Sequence, residues 1–513
     1  MSFSMTEIEF KFDIPRAALP ALEAALRGPG SRRTHLQARY FDTPHGDLAA
    51  HGVALRLRKE GQRWVQTAKA LGDGPVQRLE HNVDLGPARK SQGQQGQQGL
   101  QADPARHAGT PVGKRLDHVL RHAGTPLVEV YGTDIWRATQ ELQVGASRIE
   151  VALDQGRVLA PAPDGGLPRS AVVCELELEL LEGDVRDLTA VATEWAARHG
   201  LTLSTVTKSE RGLRLAHGQS TRAAVKASAP QWPAGSGFPD GATVQRAVVG
   251  ACLAQILPNA SEIAAGSEDA GQIHQLRVGL RRLRTALREL APLGPGLDPA
   301  WEAPLAQAFR VLGVRRDRQQ LQALMQPRLL AAGSPVIVLA PVDDSAPTPA
   351  QAVHDAGLQT ALVGLIGFAA AAPGKGLTPH DTQRHLRQRL DKLHRRVGKE
   401  GERFEKLAPE ARHSLRKRLK RLRYLAEFVG ACFAPRRAAQ FTRALEPAQD
   451  ALGAYYDEVV ALESYRAAAE QEPRAWFAVG WLQARAPHSA HQAGLALAEL
   501  AGTARPFWRK KKD

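Results

Sequence analysis

Residues 7–12 read EIEFKF. Side chains of a strand alternate between faces, so Glu7, Glu9 and Lys11 share one face while Ile8, Phe10 and Phe12 share the other. The division recurs along the chain: Arg56 and Arg58 against Leu55 and Leu57, Arg78 and Glu80 around Leu79, Glu150 and Asp154 against Val151 and Leu153, and Glu175, Glu177 and Glu179 against Leu176, Leu178 and Leu180. One such strand describes any antiparallel sheet with a solvated face. Recurrence over several strands, with like charges clustered in two of them, asks for more, because clustered carboxylates repel unless a cation or basic group lies between them. Hard divalent cations take oxygen ligands and share them with phosphates, while Arg and Lys suit phosphate oxygens. The pattern implies a closed barrel with charge inside, suited to a metal–polyphosphate, and apolar faces turned outward to covering helices.

From Thr6 to about Leu181 the period-two segments EIEFKF, QARYFDT, VALRLRKE, RWVQTAK, VQRLEHNVDL, LVEVYGTDIWR, SRIEVALD and VVCELELEL predict eight strands. Between the fifth and sixth, the stretch SQGQQGQQGLQADPARHAGTP reads as a disordered insertion over about 91–112. Residues 185–199 have helical spacing, and the Ser/Ala/Pro/Gly-rich segment 218–241 reads as a linker. Beyond it the pattern is helical. A chain of 513 residues exceeds one ordinary core. The expected architecture is therefore α+β: a β-rich domain over 1–217, then an all-α domain over 242–508.

Charge separates the two parts. Residues 1–220 hold 27 Lys and Arg against 26 Asp and Glu, and the remainder 41 against 27, so nearly all of the +15 net charge belongs to the helical part and suits polyanions. The cysteines, Cys174, Cys252 and Cys432, are odd in number and widely spaced, which argues against a disulfide framework or a structural zinc site. The N-terminus lacks a signal-peptide pattern, and no stretch reads as a bilayer span. A cytoplasmic protein, associated with polyphosphate granules if it binds that polymer, is the expectation.

The helical part repeats itself. His274-Gln-Leu276-Arg277-Val-Gly-Leu280-Arg281-Arg282-Leu283-Arg284 matches His413-Ser-Leu415-Arg416-Lys417-Arg-Leu419-Lys420-Arg421-Leu422-Arg423. Leu312-Gly313 and Asp317 follow the first copy, Leu452-Gly453 and Asp457 the second, with His-to-Asp separations of 43 and 44 residues. Two elements recurring in order and spacing imply two related helical bundles. On a helix, His274, Arg277, Arg281, Arg284 and Arg288 form one stripe opposite a leucine stripe. His413, Arg416, Lys420 and Arg423 repeat it, with Lys417 alongside. Two basic stripes with few neighbouring acids favour an anion-binding face. Nucleic acid is disfavoured, because the stripes lack interleaved aromatics apart from Tyr424. Arg509-Lys-Lys-Lys512 reads as a solvated tail.

The ordered set Glu7-x-Glu9-x-Lys11, Tyr40-Phe41-Asp42-Thr43, Leu55-Arg56-Leu57-Arg58, Lys69, Arg78-x-Glu80, Ile149 to Asp154, Glu175 to Leu180 and Lys208-Ser209-Glu210-Arg211-Gly212 resembles the CYTH (triphosphate tunnel metalloenzyme) family over residues 5–215. The resemblance implies an eight-stranded antiparallel β-tunnel acting on triphosphates with Mg²⁺ or Mn²⁺. It implies that Glu7, Glu9, Glu175, Glu177 and Glu179 hold metal, and that Lys11, Arg39, Arg56, Arg58, Lys69, Arg78, Arg137 and Lys208 hold phosphates. A carboxylate would orient water, and Glu80, Glu150 and Asp154 all remain candidates. Ala68-Lys69-Ala70 departs from the commoner Lys-Gly pair but removes no charge.

The H-x-L-R-x-x-L-R/K-R-L-R repeat resembles the CHAD family over about 240–510, which implies a helical domain binding inorganic polyphosphate. The fusion is most similar to bacterial inorganic triphosphatases, so the expected reaction is triphosphate plus water giving pyrophosphate and phosphate. Fold alone leaves other chemistries open: thiamine triphosphate or nucleotide hydrolysis, ATP cyclisation, or a non-catalytic polyphosphate-binding protein.

Overall fold

Strand β1 (Met5–Asp13) is long enough to serve two neighbours, and this is what turns a sheet into a barrel. With β2 (Arg32–Asp42), β3 (Val53–Glu60), β4 (Arg63–Leu71), β5 (Gln77–Pro87), β6 (Val128–Val144), β7 (Ser147–Ala160), β8 (Arg169–Glu182) and β9 (Thr202–Leu203), it forms an antiparallel sheet ordered β5-β4-β3-β2-β6-β7-β8-β1-β9. Residues 5–8 of β1 pair with β5 and residues 9–13 with β8, so the sheet closes on itself. The computed structural model describes residues 5–72, 77–88, 101–162, 166–232, 237–337, 339 and 346–509, without the side chains of 5–7, 71, 77, 78, 315–320 and 501. The described residues contain nine strands where eight were expected. The extra one is the two-residue β9, paired with Phe12 and Asp13, too short for any alternation to be legible.

The chain divides by its backbone contacts into two units, one of residues 1–226, 253–275 and 353–372, the other of 227–252, 276–352 and 373–513. In the first unit, α1 (Leu19–Ala25), α2 (Asp47–Ala50), α3 (Pro111–Ala123), α4 (Val185–His199) and α5 (Lys208–His217) accompany the strands. The outer faces are apolar as expected: Val53, Leu55, Ala68 and Ala70 are buried with Leu48 of α2 and with Val112, Leu116 and Val119 of α3. Thr110 caps α3 by accepting the Gly113 N–H at 3.0 Å, Pro111 starts the helix, and Gly124 ends it at φ 62°.

This order reaches into the stretch expected to be loose. The Gln66 side chain accepts from Asp103 N at 2.9 Å, donates to Asp103 O at 2.7 Å and meets His107 Nε2 at 2.9 Å, so residues 101–111 are anchored to the barrel wall. A Gly/Gln composition hides such an anchor because the holding group lies on a distant strand. Of the expected insertion, residues 91–100 lie outside the described residues.

Helices α6 (Gly241–Ala264), α7 (Ala270–Leu290), α8 (Glu302–Ala331), α9 (Pro349–His354), α10 (Ala356–Ala370), α11 (Pro379–Gly401), α12 (Pro409–Phe433), α13 (Pro435–Ala444), α14 (Glu446–Ala468) and α15 (Ala475–Thr503) complete the chain. Segments of them belong to the barrel unit. Leu203 N donates to Gln359 at 2.8 Å, Thr205 N to Ser261 at 2.9 Å, and Arg214 pairs with Glu262. Segment 218–232 has no helix or strand and is tied down by Asn259, which bonds both N and O of Val225. In the second unit, α8, α14 and α15 share a core of Leu321, Met325, Leu329, Tyr465, Val479 and Leu482. Helix α6 is long and apolar enough to cross a bilayer, contrary to the sequence expectation, although 67% of its most apolar window is buried in protein.

Candidate active site inside the barrel

Register decides what faces inward. Glu179 lies opposite Glu9 on β1 and Glu150 on β7. Glu177 lies opposite Lys11, and Glu175 lies opposite Asp154, which in turn faces Arg137 of β6. Arg56 and Arg58 stand opposite Tyr40 and Ala38, and Lys69 opposite Glu80. Residues opposite one another point to the same face, so these side chains line one interior. Glu7 and Arg78 occupy facing register positions, but their side chains lie outside the described residues.

Arg39 does not belong to this set. It falls between the inward Ala38 and Tyr40, on the outer face, where Nε donates to Glu129 at 2.7 Å and the guanidinium lies over Phe41. Its expected phosphate role is corrected by the period of two.

The interior carboxylates form two groups with different electrostatics. Asp154 and Glu175 are fully buried, and one carboxylate oxygen from each lies within 4.8 Å of the other and of one oxygen of Glu177. Cations already bridge them. Arg137 grips Asp154 through two bonds of 2.7 and 2.6 Å and also pairs with Glu177, while Lys208 reaches Asp154 at 2.6 Å, Glu177 at 2.7 Å and Glu175. Burial opposes ionisation here, but Lys208 and then Arg137 outweigh it and hold Asp154 below, and Glu177 well below, the usual carboxylate range. The same pairing holds Lys208 and Arg137 protonated despite burial.

The second group is Glu9, Glu150 and Glu179. Among the described residues none of the three has an ion pair, and the basic group acting on Glu179 is Lys69, bound to Glu80 at 2.5 Å. Burial pushes the Glu179 carboxyl up to about 7; Lys69 works against the rise, while Glu9, Glu150 and Glu80 add to it. Burial raises Glu150 too, against Arg137. Carboxylates that raise one another's proton affinity have the donor chemistry of a hard divalent cation site. The first group satisfies the spacing for a metal, but a metal there would have to displace Lys208 and Arg137.

Lys208 is placed by α5, which enters the barrel. Thr207 caps the helix by accepting the Glu210 N–H at 3.0 Å, and Leu213, Leu215 and Ala216 pack with Leu36, Tyr40, Tyr131, Ile135 and Val173. Tyr40 and Tyr131 stack with centroids 4.6 Å apart; Arg56 donates to the Tyr40 hydroxyl at 3.3 Å, and the Tyr131 hydroxyl donates to Ser209 at 2.8 Å. The sequence reading missed this pair, although Tyr40 is in phase with the inward residues of β3. Lys11 donates to the carbonyl of Val206, just before α5.

In the helical unit the two stripes separate into paired and converging cations. Arg284 pairs with Glu302 at 2.7 Å, Arg288 lies 3.8 Å from the same carboxylate, and Arg423 pairs with Glu427 at 2.6 Å. The expectation of few neighbouring acids therefore fails at these three positions, because the acids come from another helix or the next turn. Arg277 and Arg281 lie over Phe309 of α8, and Arg416 over Tyr456 of α14, at 4.9, 5.1 and 4.9 Å. Lys420 is half-buried among these cations, and Lys417 is exposed. His413 meets the edge of Tyr456 at 5.5 Å, and His274 lies on the first turns of α7, among residues grouped with the barrel unit. The aromatics sought along the stripes stand beneath them, contributed by other helices.

Residues 5–213 match the CYTH domain and residues 247–466 the CHAD domain. An uncharacterized protein of Mycobacterium tuberculosis is 27% identical over 485 residues, covering 89% of this chain and 87% of that one. An inorganic triphosphatase of Haemophilus influenzae is 26% identical over 182 residues, which is 34% of this chain and 44% of that enzyme. The crystal structure of the CHAD domain from the plant Ricinus communis is 23% identical, with a TM-score of 0.39, covering 52% of this chain and 96% of that one. The chain thus belongs to the CYTH family through residues 5–213 and to the CHAD family through residues 247–466.

Proposed function

We propose that the barrel hydrolyses inorganic triphosphate to pyrophosphate and phosphate with Mg²⁺ or Mn²⁺, and that the helical domain binds inorganic polyphosphate. The observation that carries the reading is the sorting of charge inside the barrel. Arg56, Arg58 and Lys69 come from β3 and β4, while Glu9, Glu150 and Glu179, without an ion pair among the described residues, come from β1, β7 and β8. The similarity to an inorganic triphosphatase, over less than half of that enzyme, supports the choice of substrate.

Glu9 and Glu179, with Glu7, would hold the cation. When bound, it supplies positive charge that polarises phosphoryl oxygens. Arg56, Arg58, Lys11 and Lys69 neutralise the triphosphate oxygens and hold the chain in line for attack. Arg137 and Lys208 add charge from fixed positions, anchored by Asp154, Glu175 and Glu177. That anchoring leaves Asp154 with no free acceptor role, and Glu80 is bound to Lys69, so Glu150 is the carboxylate assigned to orient water. Its burial raises its basicity toward that task.

The test is phosphate release from inorganic triphosphate with Mg²⁺ or Mn²⁺, comparing the wild type with Glu9→Ala/Glu179→Ala and Glu150→Gln, and offering ATP and thiamine triphosphate in competition. The expected result is fast, metal-dependent release that the double variant loses. Preference for ATP or thiamine triphosphate would replace the substrate, and a protein turning over none of them would have no triphosphatase function. Retention on long-chain polyphosphate, weakened in Arg277→Ala/Arg416→Ala, tests the helical domain.

A further inference from the structure

Lys420 lies one turn beyond Arg416 on α12. Helix α12 meets α7 through Arg282, whose guanidinium is 3.8 Å from Glu427 and 5.3 Å from the Phe428 ring centroid. The guanidiniums acting on Lys420 are Arg281, Arg416 and Arg277, and Asp457 of α14 is the acid that opposes them. Phe309 and Tyr456 lie under these three arginines. An aromatic face limits how a guanidinium can turn, so a phosphate arriving here meets forks already oriented, with a primary amine beside them.

We propose that Lys420 is a covalent acylation site for acyl phosphates, the phosphate group docking on Arg277, Arg281 and Arg416 while the side-chain nitrogen attacks the carbonyl carbon. The new N–C bond replaces the C–O bond to phosphate, whose electron pair leaves with the phosphate, and the proton lost by the amine passes to that leaving group. No other reactant is needed. Burial, then Arg281 and Arg416, bring the Lys420 amine down to about 7, so far more of it is the uncharged nucleophile at neutral pH than of an exposed lysine. The amide cannot take up a proton, so acylation denies the face the charge Lys420 would gain beside a bound polyanion and weakens its hold on polyanions. The inference rests on reading this face as a phosphate-binding one.

The full chain is incubated with acetyl phosphate at pH 7.5, and acetylation is followed by mass spectrometry at each lysine, with and without long-chain polyphosphate. N-acetoxysuccinimide, which has no phosphate, serves as the uncharged donor. The expected result is that acetyl phosphate labels Lys420 at least tenfold faster than Lys417 on the same helix, that polyphosphate abolishes this preference, and that N-acetoxysuccinimide shows a smaller one. Lys420 labelled no faster than Lys417, or equal preference with both donors, overturns the proposal. Polyphosphate retention by unmodified protein is measured in parallel. Retention without selective labelling sinks the acylation site and leaves the polyphosphate reading standing. Selective labelling without retention does the reverse, and there inorganic phosphate in place of polyphosphate must suppress it.

Discussion

Gly212 of α5 lies so close to the face of Tyr131 that a Cβ added to it would sit 2.1 Å from Cδ2. No side chain fits between helix and ring, and the same ring holds Ser209, next to Lys208, through its hydroxyl. Gly212→Ala must push α5 away and draw Lys208 from its carboxylates. Overpacking of this kind costs about 1–3 kcal/mol. Urea unfolding should show the loss, and triphosphate hydrolysis should fall with it; an unchanged midpoint and rate would mean that α5 does not seat Lys208.

Tyr40 presents its hydroxyl to Arg56, and Arg56 holds the phenol below its ordinary range although burial works the other way. Tyr40→Phe keeps the stack on Tyr131 and removes only the acceptor. Loss of one hydrogen bond of about 1 kcal/mol predicts a rise of about fivefold in KM for triphosphate, with kcat changed less. A drop in kcat at unchanged KM would show that Arg56 acts on the transition state rather than in ground-state binding.

The two carboxylate groups should respond differently to neutralisation. Glu175→Gln removes one of the three carboxylates around buried Lys208, and losing a hydrogen bond between charged groups costs about 1.5–3 kcal/mol. Glu179→Gln relieves repulsion with Glu9 and Glu150 and should leave stability equal or higher, while weakening Mn²⁺ binding at least tenfold. Calorimetric Mn²⁺ titration beside thermal unfolding separates the two. If Glu175→Gln loses Mn²⁺ with its stability intact, the metal belongs to the Asp154 group.

His107 is fully buried against His81, with Nδ1 atoms 2.8 Å apart, and burial, then His81 and Arg106, push it down to about 4. An unfolded imidazole takes up its proton near 6.5, so between about 6.5 and 4 the unfolded chain binds a proton that the folded chain does not. Stability is therefore complete above 6.5 and falls as pH drops toward 4, by on the order of 3 kcal/mol. Urea midpoints of the barrel transition at pH 7.5 and 4.5 should show the fall, and His107→Gln should flatten it. Equal slopes in both proteins would place the acid sensitivity elsewhere.

Alternation carried most of what was legible. The outward Leu55 and Leu57, the inward Arg56 and Arg58, the helix at 185–199 and the helical second half are all readable from local spacing, because strand and helix periods are properties of neighbouring residues. Arg39 violated a rule already in hand, since it is out of phase with Tyr40. The anchor at Asp103 and His107, the two-residue β9 and the aromatic seats of Phe309 and Tyr456 were not readable, because each depends on groups tens or hundreds of residues away.

By itself the sequence determined the alternating faces, the charge division between the halves and the repeated basic motif, all set by covalent order and side-chain geometry. Tertiary structure alone decided which charges meet. Strand register brought Asp154, Glu175 and Glu177 under Lys208 and Arg137 and left Glu9, Glu150 and Glu179 without an ion pair among the described residues, and helix packing set Arg284 against Glu302. The reason is physical: a charge is tuned by whatever lies within a few ångströms of it in a medium of low polarity, and folding assigns those neighbours across the whole length of the chain.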